Sequence, residues 1–144
     1  MAQSRQRPLS PHLTIWRWGP HMLISILHRV TGDGLAIVGG LCFTWWLYAA
    51  ASGPVSYANF LYYVWQADEA DALGLAANLL GRVVLIGLSW AFFQHLFSGL
   101  RHLVMDMGAG YELQTNRLWS RVVIAAAAIA TIALWAYIFV GRAH

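Results

Sequence analysis

The 144-residue sequence has a single cysteine, no lysine and few charged residues of any kind. One cysteine, Cys42, excludes an internal disulfide, a multi-cysteine zinc or iron–sulfur site and the Cys-x-x-Cys-His attachment of c-type haem. Charged residues make up 10% of the chain and hydrophobic residues 59%, whereas an ordinary soluble domain carries about 25% charged residues. The composition therefore predicts an integral membrane protein.

The basic residues are nine arginines, which give a net charge of +3. They are scattered along the chain and do not form the basic stripe of a nucleic-acid-binding protein. The first 20 residues lack a continuous apolar run, so a cleavable signal peptide is not expected. Pro8, Pro11 and Pro20 favour an extended lead-in over a helix there, and we assign residues 1–20 to an N-terminal segment.

Three long apolar segments follow, and each exceeds the roughly 20 residues that a transmembrane helix needs. We expect helices over residues 22–51, 73–107 and 118–140. Residues 52–72 begin with a Gly53-Pro54 helix break and contain several aromatics and three acids, which predicts an external loop with room for an interfacial helical turn. The expected fold class is an all-α integral membrane protein with three transmembrane helices.

The distribution of arginines predicts the orientation. Arginines precede the first helix (Arg5, Arg7 and Arg17) and flank the second loop (Arg117 and Arg121). The charged residues of the first loop are all acids, namely Asp68, Glu69 and Asp71. By the positive-inside rule the N-terminus is cytoplasmic. The tryptophans near the expected helix ends agree, because they form aromatic belts at the two interfaces.

Polar residues inside the second helix are the main functional signal. His95 and His102 are seven residues apart, so they share a helix face and are separated by about 10 Å along the axis. Ser98 and Gly99 lie on the same face, and the glycine leaves a gap beside the His95 imidazole where a flat macrocycle fits. The spacing rules out two axial ligands on one iron from these two histidines.

Depth along the helices separates two layers. Counted from the expected cytoplasmic helix ends, His95 lies about 18 Å deep, and His102 about 7 Å deep. On the first helix, His28 and Arg29 lie about 9 to 10 Å deep, level with the layer of His102 and Arg101. This pattern suits a haem b with iron on His95 and propionates in the shallower layer. A partner subunit then supplies the second ligand, or the haem is five-coordinate.

Simpler explanations exist for each residue taken alone. An intramembrane histidine can serve only as a hydrogen-bond partner of a neighbouring helix. Arg29 and Asp33 have the i, i+4 spacing of a helical ion pair, and Asp106 has the same spacing from His102 and can orient its ring. The layered set of residues favours a cofactor over these alternatives.

Three stretches resemble one family: "RPLSPHL" from Arg7, "SILHRVTG" from Ser25 and "HLFSGLRHLVMDMG" from His95. Together they make the chain similar to the cytochrome b membrane-anchor subunit of succinate dehydrogenase, respiratory complex II. The resemblance covers the first two helices, and the third matches only in hydropathy. Trp16 and Met105 depart from the family pattern, but both replace one large apolar side chain by another.

The resemblance implies that His95 is an axial ligand of haem b and that a companion small anchor subunit supplies the other ligand and completes a larger helical bundle. It implies that Ser25 and Arg29 border the quinone site, and that His28 and Arg29 lie near the haem propionates. His102 and Arg101 fall in the corresponding layer. The "SPHL" segment would dock on the iron–sulfur subunit.

The implied activity is succinate:quinone oxidoreduction, in which a flavoprotein oxidises succinate and an iron–sulfur subunit passes electrons to quinone in the membrane. The chain has no flavin or iron–sulfur ligand and would not be catalytic alone. We expect membrane lipid but no nucleic acid as a further partner, and a bacterial inner membrane, or the mitochondrial inner membrane if the source is eukaryotic. Two alternatives remain open: a haem-free anchor, and a small proton-conducting protein that uses His95, His102 and Asp106 as a relay.

Overall fold

The structure is a computed structural model and describes residues 18–67 and 71–141. Every regular element in these ranges is helical, which confirms the all-α class. The elements are α1 (Pro20–Gly34), a π-helical turn (Leu35–Gly39), α2 (Gly40–Ala51), α3 (Pro54–Val64), α4 (Ala72–Asp106) and α5 (Leu113–Gly141). The N-terminal segment before Trp18 and the acids Asp68 and Glu69 lie outside the described residues.

Three helical segments are long and apolar enough to cross a membrane, namely Pro20–Ala51, Ala72–Asp106 and Leu113–Gly141. This confirms the expectation of three spans. The third helix begins five residues before the expected start at Leu118, because the polar residues from Gln114 to Arg117 continue the helix beyond the apolar stretch. Hydropathy locates the part of a helix that lies in lipid and says little about where the helix ends.

The first span is continuous but not uniform. Its middle turn, Leu35–Gly39, is π-helical, with the i→i+5 bonding that accommodates one extra residue. Before this turn α1 packs against α4 and α5, whereas after it α2 packs against α3 and the π turn. The second half of the first span, α2, therefore leaves the bundle to which the first half, α1, belongs, which hydropathy alone did not predict.

Helix α4 is central, because α1, α3 and α5 all pack against it. Small residues are buried on both α4 and α5: Ala91 and Ser98 on α4, and Ser120 and Ala127 on α5. Small side chains allow helix backbones to approach closely in a membrane. Close packing of α4 against α5 gives the second helix a fixed orientation, and this orientation sets the direction in which its histidines point.

The loop between the first two spans contains an 11-residue helix, α3, where the sequence suggested room for one helical turn. Asn78 of α4 holds the end of α3 in place: its Nδ2 donates to the carbonyls of Tyr62 (2.6 Å) and Tyr63 (3.0 Å), and its Oδ1 accepts from the amide of Ala67 (3.0 Å). Asn78 is buried, and these bonds compensate for the burial of its amide.

Asp71 joins the same region to the start of α4. Its carboxylate accepts from the Leu73 amide (3.0 Å) as a helix N-cap, and from the Tyr62 hydroxyl. The Tyr62 bond, followed by the Gly74 amide, lowers the pKa of Asp71. Because the folded-state pKa is lowered, this carboxylate contributes stability above its ordinary pKa range, and the contribution is lost as pH falls through the folded-state pKa.

The chain buries little of its own membrane surface. Within the most apolar window of each span, only 6%, 11% and 22% of the residues are buried by the rest of the chain. Large apolar side chains on the first and third spans, such as Leu41 and Ile129, are more than 60% exposed. These surfaces must be covered by lipid or by other protein chains.

Candidate functional site between the first two spans

Three histidines, His28, His95 and His102, form a histidine cluster where α1 packs against α4. The His28 ring stacks on the His95 ring, with centroids 4.1 Å apart and planes 8° from parallel. The His102 ring lies 5.1 Å from the His28 ring and is tilted by 56°. The structure therefore brings together three of the residues singled out from the sequence, at half-buried positions facing a helix contact.

The sequence placed His28 level with His102, whereas in the structure its ring contacts both other histidines. The depths were counted from assumed helix ends at Met22 and Met107, but α1 begins at Pro20 and α4 ends at Asp106. Counted from these ends, His28 lies about 12 Å and His95 about 17 Å along the respective helix. A difference of about 5 Å is within the reach of two imidazole side chains.

His95 is oriented by a main-chain bond across the helix contact. Its Nδ1 lies 3.0 Å from the carbonyl oxygen of His28. A carbonyl oxygen only accepts hydrogen bonds, so Nδ1 carries the proton and Nε2 keeps its lone pair. Metal-ligating histidines show this arrangement, in which one ring nitrogen donates to a carbonyl or carboxylate and the other binds the metal.

Gly32 makes room for the His95 ring. A Cβ placed on Gly32 would lie 2.8 Å from Cε1 and 3.2 Å from Nδ1 of His95. The glycine is part of the "SILHRVTG" stretch, but no separate role was predicted for it. Gly99, which was expected to leave a gap beside His95, faces His28 instead, with the His28 Cε1 3.9 Å from a Cβ at that position.

We expect Gly32→Ala to destabilise the site, because the new methyl group would force the His95 ring off the His28 carbonyl. Overpacking of this kind costs about 1–3 kcal/mol. The matched control is Gly34→Ala, since a Cβ at Gly34 has no atom within 4 Å and alanine favours a helix over glycine by about 1 kcal/mol. Thermal unfolding of the purified complex should show a lower midpoint only for Gly32→Ala; equal midpoints would contradict the role of Gly32.

The cluster has an unused polar atom. His28 Nδ1 is buried and has no hydrogen-bond partner, and a buried polar group without a partner is costly. In the part of the chain that the structure describes, no group of three or more histidine, cysteine or acidic side chains could hold a bare metal ion. The histidine cluster is thus unsuited to a metal ion held only by side chains of this chain. It can instead offer one metal ligand and additional hydrogen-bond donors to a metal-containing cofactor.

Ser25, Arg29 and Asp33 follow one another at four-residue intervals along α1. Ser25 is half-buried, and Arg29 and Asp33 are exposed. Arg29 and Asp33 form no ion pair, although the structure describes both residues. The intrahelical pair that was the simpler explanation for Arg29 is therefore absent, and the arginine is open to a group outside the chain.

Arg101 and Asp106 do not join the histidine cluster. The Arg101 guanidinium donates to the Asn116 carboxamide of α5 over 2.7 Å, because six residues after His95 the helix has turned by about 240°. Asp106 is exposed at the last position of α4. Neither side chain forms a hydrogen bond or an ion pair with His102 in the described residues, so the orienting role suggested for Asp106 is not observed.

A buried polar pair on α4 was not predicted from the sequence. Gln94, beside His95, is fully buried, and its Nε2 donates to Ser98 Oγ over 3.1 Å. The i, i+4 spacing of two polar residues within an apolar helix is the signal that could have identified the pair. In the described residues neither member forms a hydrogen bond with the three histidines, so we assign the pair to the packing of α4.

Comparison with known proteins agrees with the resemblance. The family model for the succinate dehydrogenase/fumarate reductase transmembrane subunit matches residues 3–134. The succinate dehydrogenase cytochrome b556 subunit of Paracoccus denitrificans is 36% identical over 126 residues, which cover 88% of this chain and 87% of the relative. The cytochrome b560 subunit of Reclinomonas americana is 33% identical over 90% of this chain and 84% of its own length. The chain therefore belongs to the cytochrome b membrane-anchor subunits of succinate dehydrogenase, respiratory complex II.

Proposed function

We propose that the chain binds haem b and forms part of the quinone-reduction site of succinate:quinone oxidoreductase. The observation that carries the proposal is the bond from His95 Nδ1 to the His28 carbonyl, made beside Gly32. It fixes the ring and leaves Nε2 as a ligand atom at a helix contact inside the membrane. This is the outer-shell arrangement of a metal-binding histidine.

The residues present fit a haem. His95 would bind the iron from this chain, and a companion anchor subunit would supply the other ligand to a single shared haem. His28 and His102, with Arg29, are the groups that would hold the propionates, and the unpartnered His28 Nδ1 is a donor available for them. Arg101 belongs to the same expected layer, although Asn116 engages its guanidinium. A bound haem supplies one-electron redox capacity near the quinone.

Ser25 and Arg29 provide what quinone reduction requires from the protein. The Ser25 hydroxyl donates a hydrogen bond to a quinone carbonyl, and the Arg29 charge stabilises the negative oxygen that develops as electrons arrive. Both lie on one face of α1 at i and i+4. Support comes from the exposure of Arg29 and from its lack of an ion pair with Asp33, since a lone intramembrane arginine marks a functional site.

The partners proposed are a flavoprotein, an iron–sulfur protein and a second small membrane anchor. The spans leave most of their surface uncovered, which supports a larger bundle completed by the second anchor. Residues 1–20, which largely lie outside the described residues, dock on the iron–sulfur subunit. The catalytic flavin chemistry occurs on the flavoprotein, and no nucleic acid takes part.

The proposed location is a bacterial inner membrane, with the N-terminus cytoplasmic; the relatives include bacterial and mitochondrial proteins. The arginine asymmetry supports this orientation and places α3 on the outer side. Val55 of α3 is 78% exposed. In a Cys42→Ser background, a cysteine at position 55 should react with an impermeant reagent only from outside, and reaction only from inside would reverse the topology.

Purification in a mild detergent tests the proposed function. We expect a flavoprotein, an iron–sulfur protein and a second small membrane protein to copurify with the chain, and the complex to show a b-type haem spectrum. The same partners without that spectrum would establish the haem-free anchor. Isolation of the chain alone, with proton conduction, would establish the relay. The lack of a hydrogen bond between Asp106 and His102 in the described residues disfavours this alternative.

A further inference from the structure

An apolar groove lies on the side of α4 that faces away from the histidine cluster. Phe97, which lines the groove, is about 200° around the helix from His95. It is formed by the inner half of α4 and the first turns of α5 and has a volume of about 530 Å³. Phe97, Arg101, Trp119 and Ala126 are among its lining residues. His95, the proposed iron ligand, and Arg29, the proposed quinone-site arginine, do not line this groove. Arg101, which the resemblance puts in the propionate layer, does line it.

The groove is long and runs with the helices. Its lining extends from Gly110, in the connection between α4 and α5, to Ala126. Ala126 is thirteen residues into α5, which corresponds to about 20 Å along the helix axis. A narrow apolar groove that runs from a helix end towards the middle of the membrane has the direction and the length of a phospholipid acyl chain.

Arg101 places a positive charge in this apolar lining. It lies five residues from the end of α4, about 8 Å along the axis, a depth from which a long arginine side chain reaches the interface. Its partner, the Asn116 carboxamide, is neutral and uses few of the five guanidinium donors. No carboxylate pairs with Arg101 in the ranges that the structure describes, so the charge lacks a counter-ion.

We propose that the groove binds one anionic phospholipid, with its phosphate on Arg101 and an acyl chain along the α4–α5 groove as far as Ala126. Arginine binds phosphate through charge-assisted, often bidentate, hydrogen bonds, and basic pockets between membrane helices bind anionic head groups. An acidic protein segment would satisfy the charge but would not fill an apolar groove of this length.

Native mass spectrometry of the intact purified complex tests the proposal by counting retained phosphatidylglycerol after detergent washing. Arg101→Gln removes the charge and keeps a donor for Asn116. Ala126→Leu fills the deep end and leaves Arg101 in place. Arg121→Gln is the control, because Arg121 is exposed on α5 about 240° from the groove residue Thr115. The loss of a hydrogen bond to a charged group weakens binding about tenfold or more.

We expect both groove variants to lose one bound phosphatidylglycerol and Arg121→Gln to retain it. Added phosphatidylglycerol, but not phosphatidylcholine, should stabilise the delipidated wild-type complex. Equal retention in all variants, or equal stabilisation by both lipids, would overturn the proposal. Loss of haem absorbance from Arg101→Gln with lipid retained would also overturn it and would assign Arg101 to the haem.

Discussion

His95→Ala is expected to remove the haem from the assembled complex. The ring is the proposed iron ligand of this chain and is the group that α1 orients through the His28 carbonyl at 3.0 Å. Changes to outer-shell partners of a metal ligand cost about 10–100-fold in metal affinity, so loss of the ligand itself should cost more. Absorption spectra of the purified complex should show less than about a tenth of the wild-type haem.

Two variants provide comparison for His95→Ala. His21→Ala changes a histidine at the start of α1, away from the cluster, and should retain the haem. His102→Ala should retain most of the haem, because His102 is proposed to contact propionates and not iron. If His95→Ala kept the wild-type spectrum and haem content, His95 would not be the ligand.

Arg29→Leu should impair quinone reduction by about ten- to a hundredfold, since a hydrogen bond to a charged group contributes about 1.5–3 kcal/mol. Ser25→Ala should have a smaller effect, because a neutral hydrogen bond contributes about 1 kcal/mol. Oxidation of succinate with an artificial soluble acceptor should remain largely intact in both variants, because the flavin lies on another subunit. The ratio of the two activities is the quantity to measure.

Arg82→Leu is the matched control for Arg29→Leu. Arg82 lies on α4 with its guanidinium 5.0 Å from the centroid of the Trp65 ring, so its loss removes an arginine from a different part of a span. Quinone reduction should be retained in this variant. If Arg29→Leu kept full quinone reductase activity and unchanged sensitivity to quinone-site inhibitors, Ser25 and Arg29 would not form the pocket.

The sequence predicted the three spans and the shared face of His95 and His102, because both depend only on hydropathy and helix period. It did not predict the contact between His28 and His95, which depends on how far α1 is displaced along its axis relative to α4. It also did not predict the role of Asn78, whose partners are main-chain atoms of another helix. The pattern of residues along one helix contains no information about how two helices are displaced or about which main-chain atoms of another helix a side chain reaches.

The π turn at Leu35–Gly39 also has a mechanical consequence. A π turn is a place where a helix bends, and beyond it, among the described residues, α2 packs against α3 and the turn itself. We expect a change in the thickness of the membrane leaflet around α2 to tilt this helix about the turn. His28 lies seven residues before the turn, in the half held by α4 and α5. We therefore expect the contact between His28 and His95 to change less than the position of α2 when membrane thickness changes.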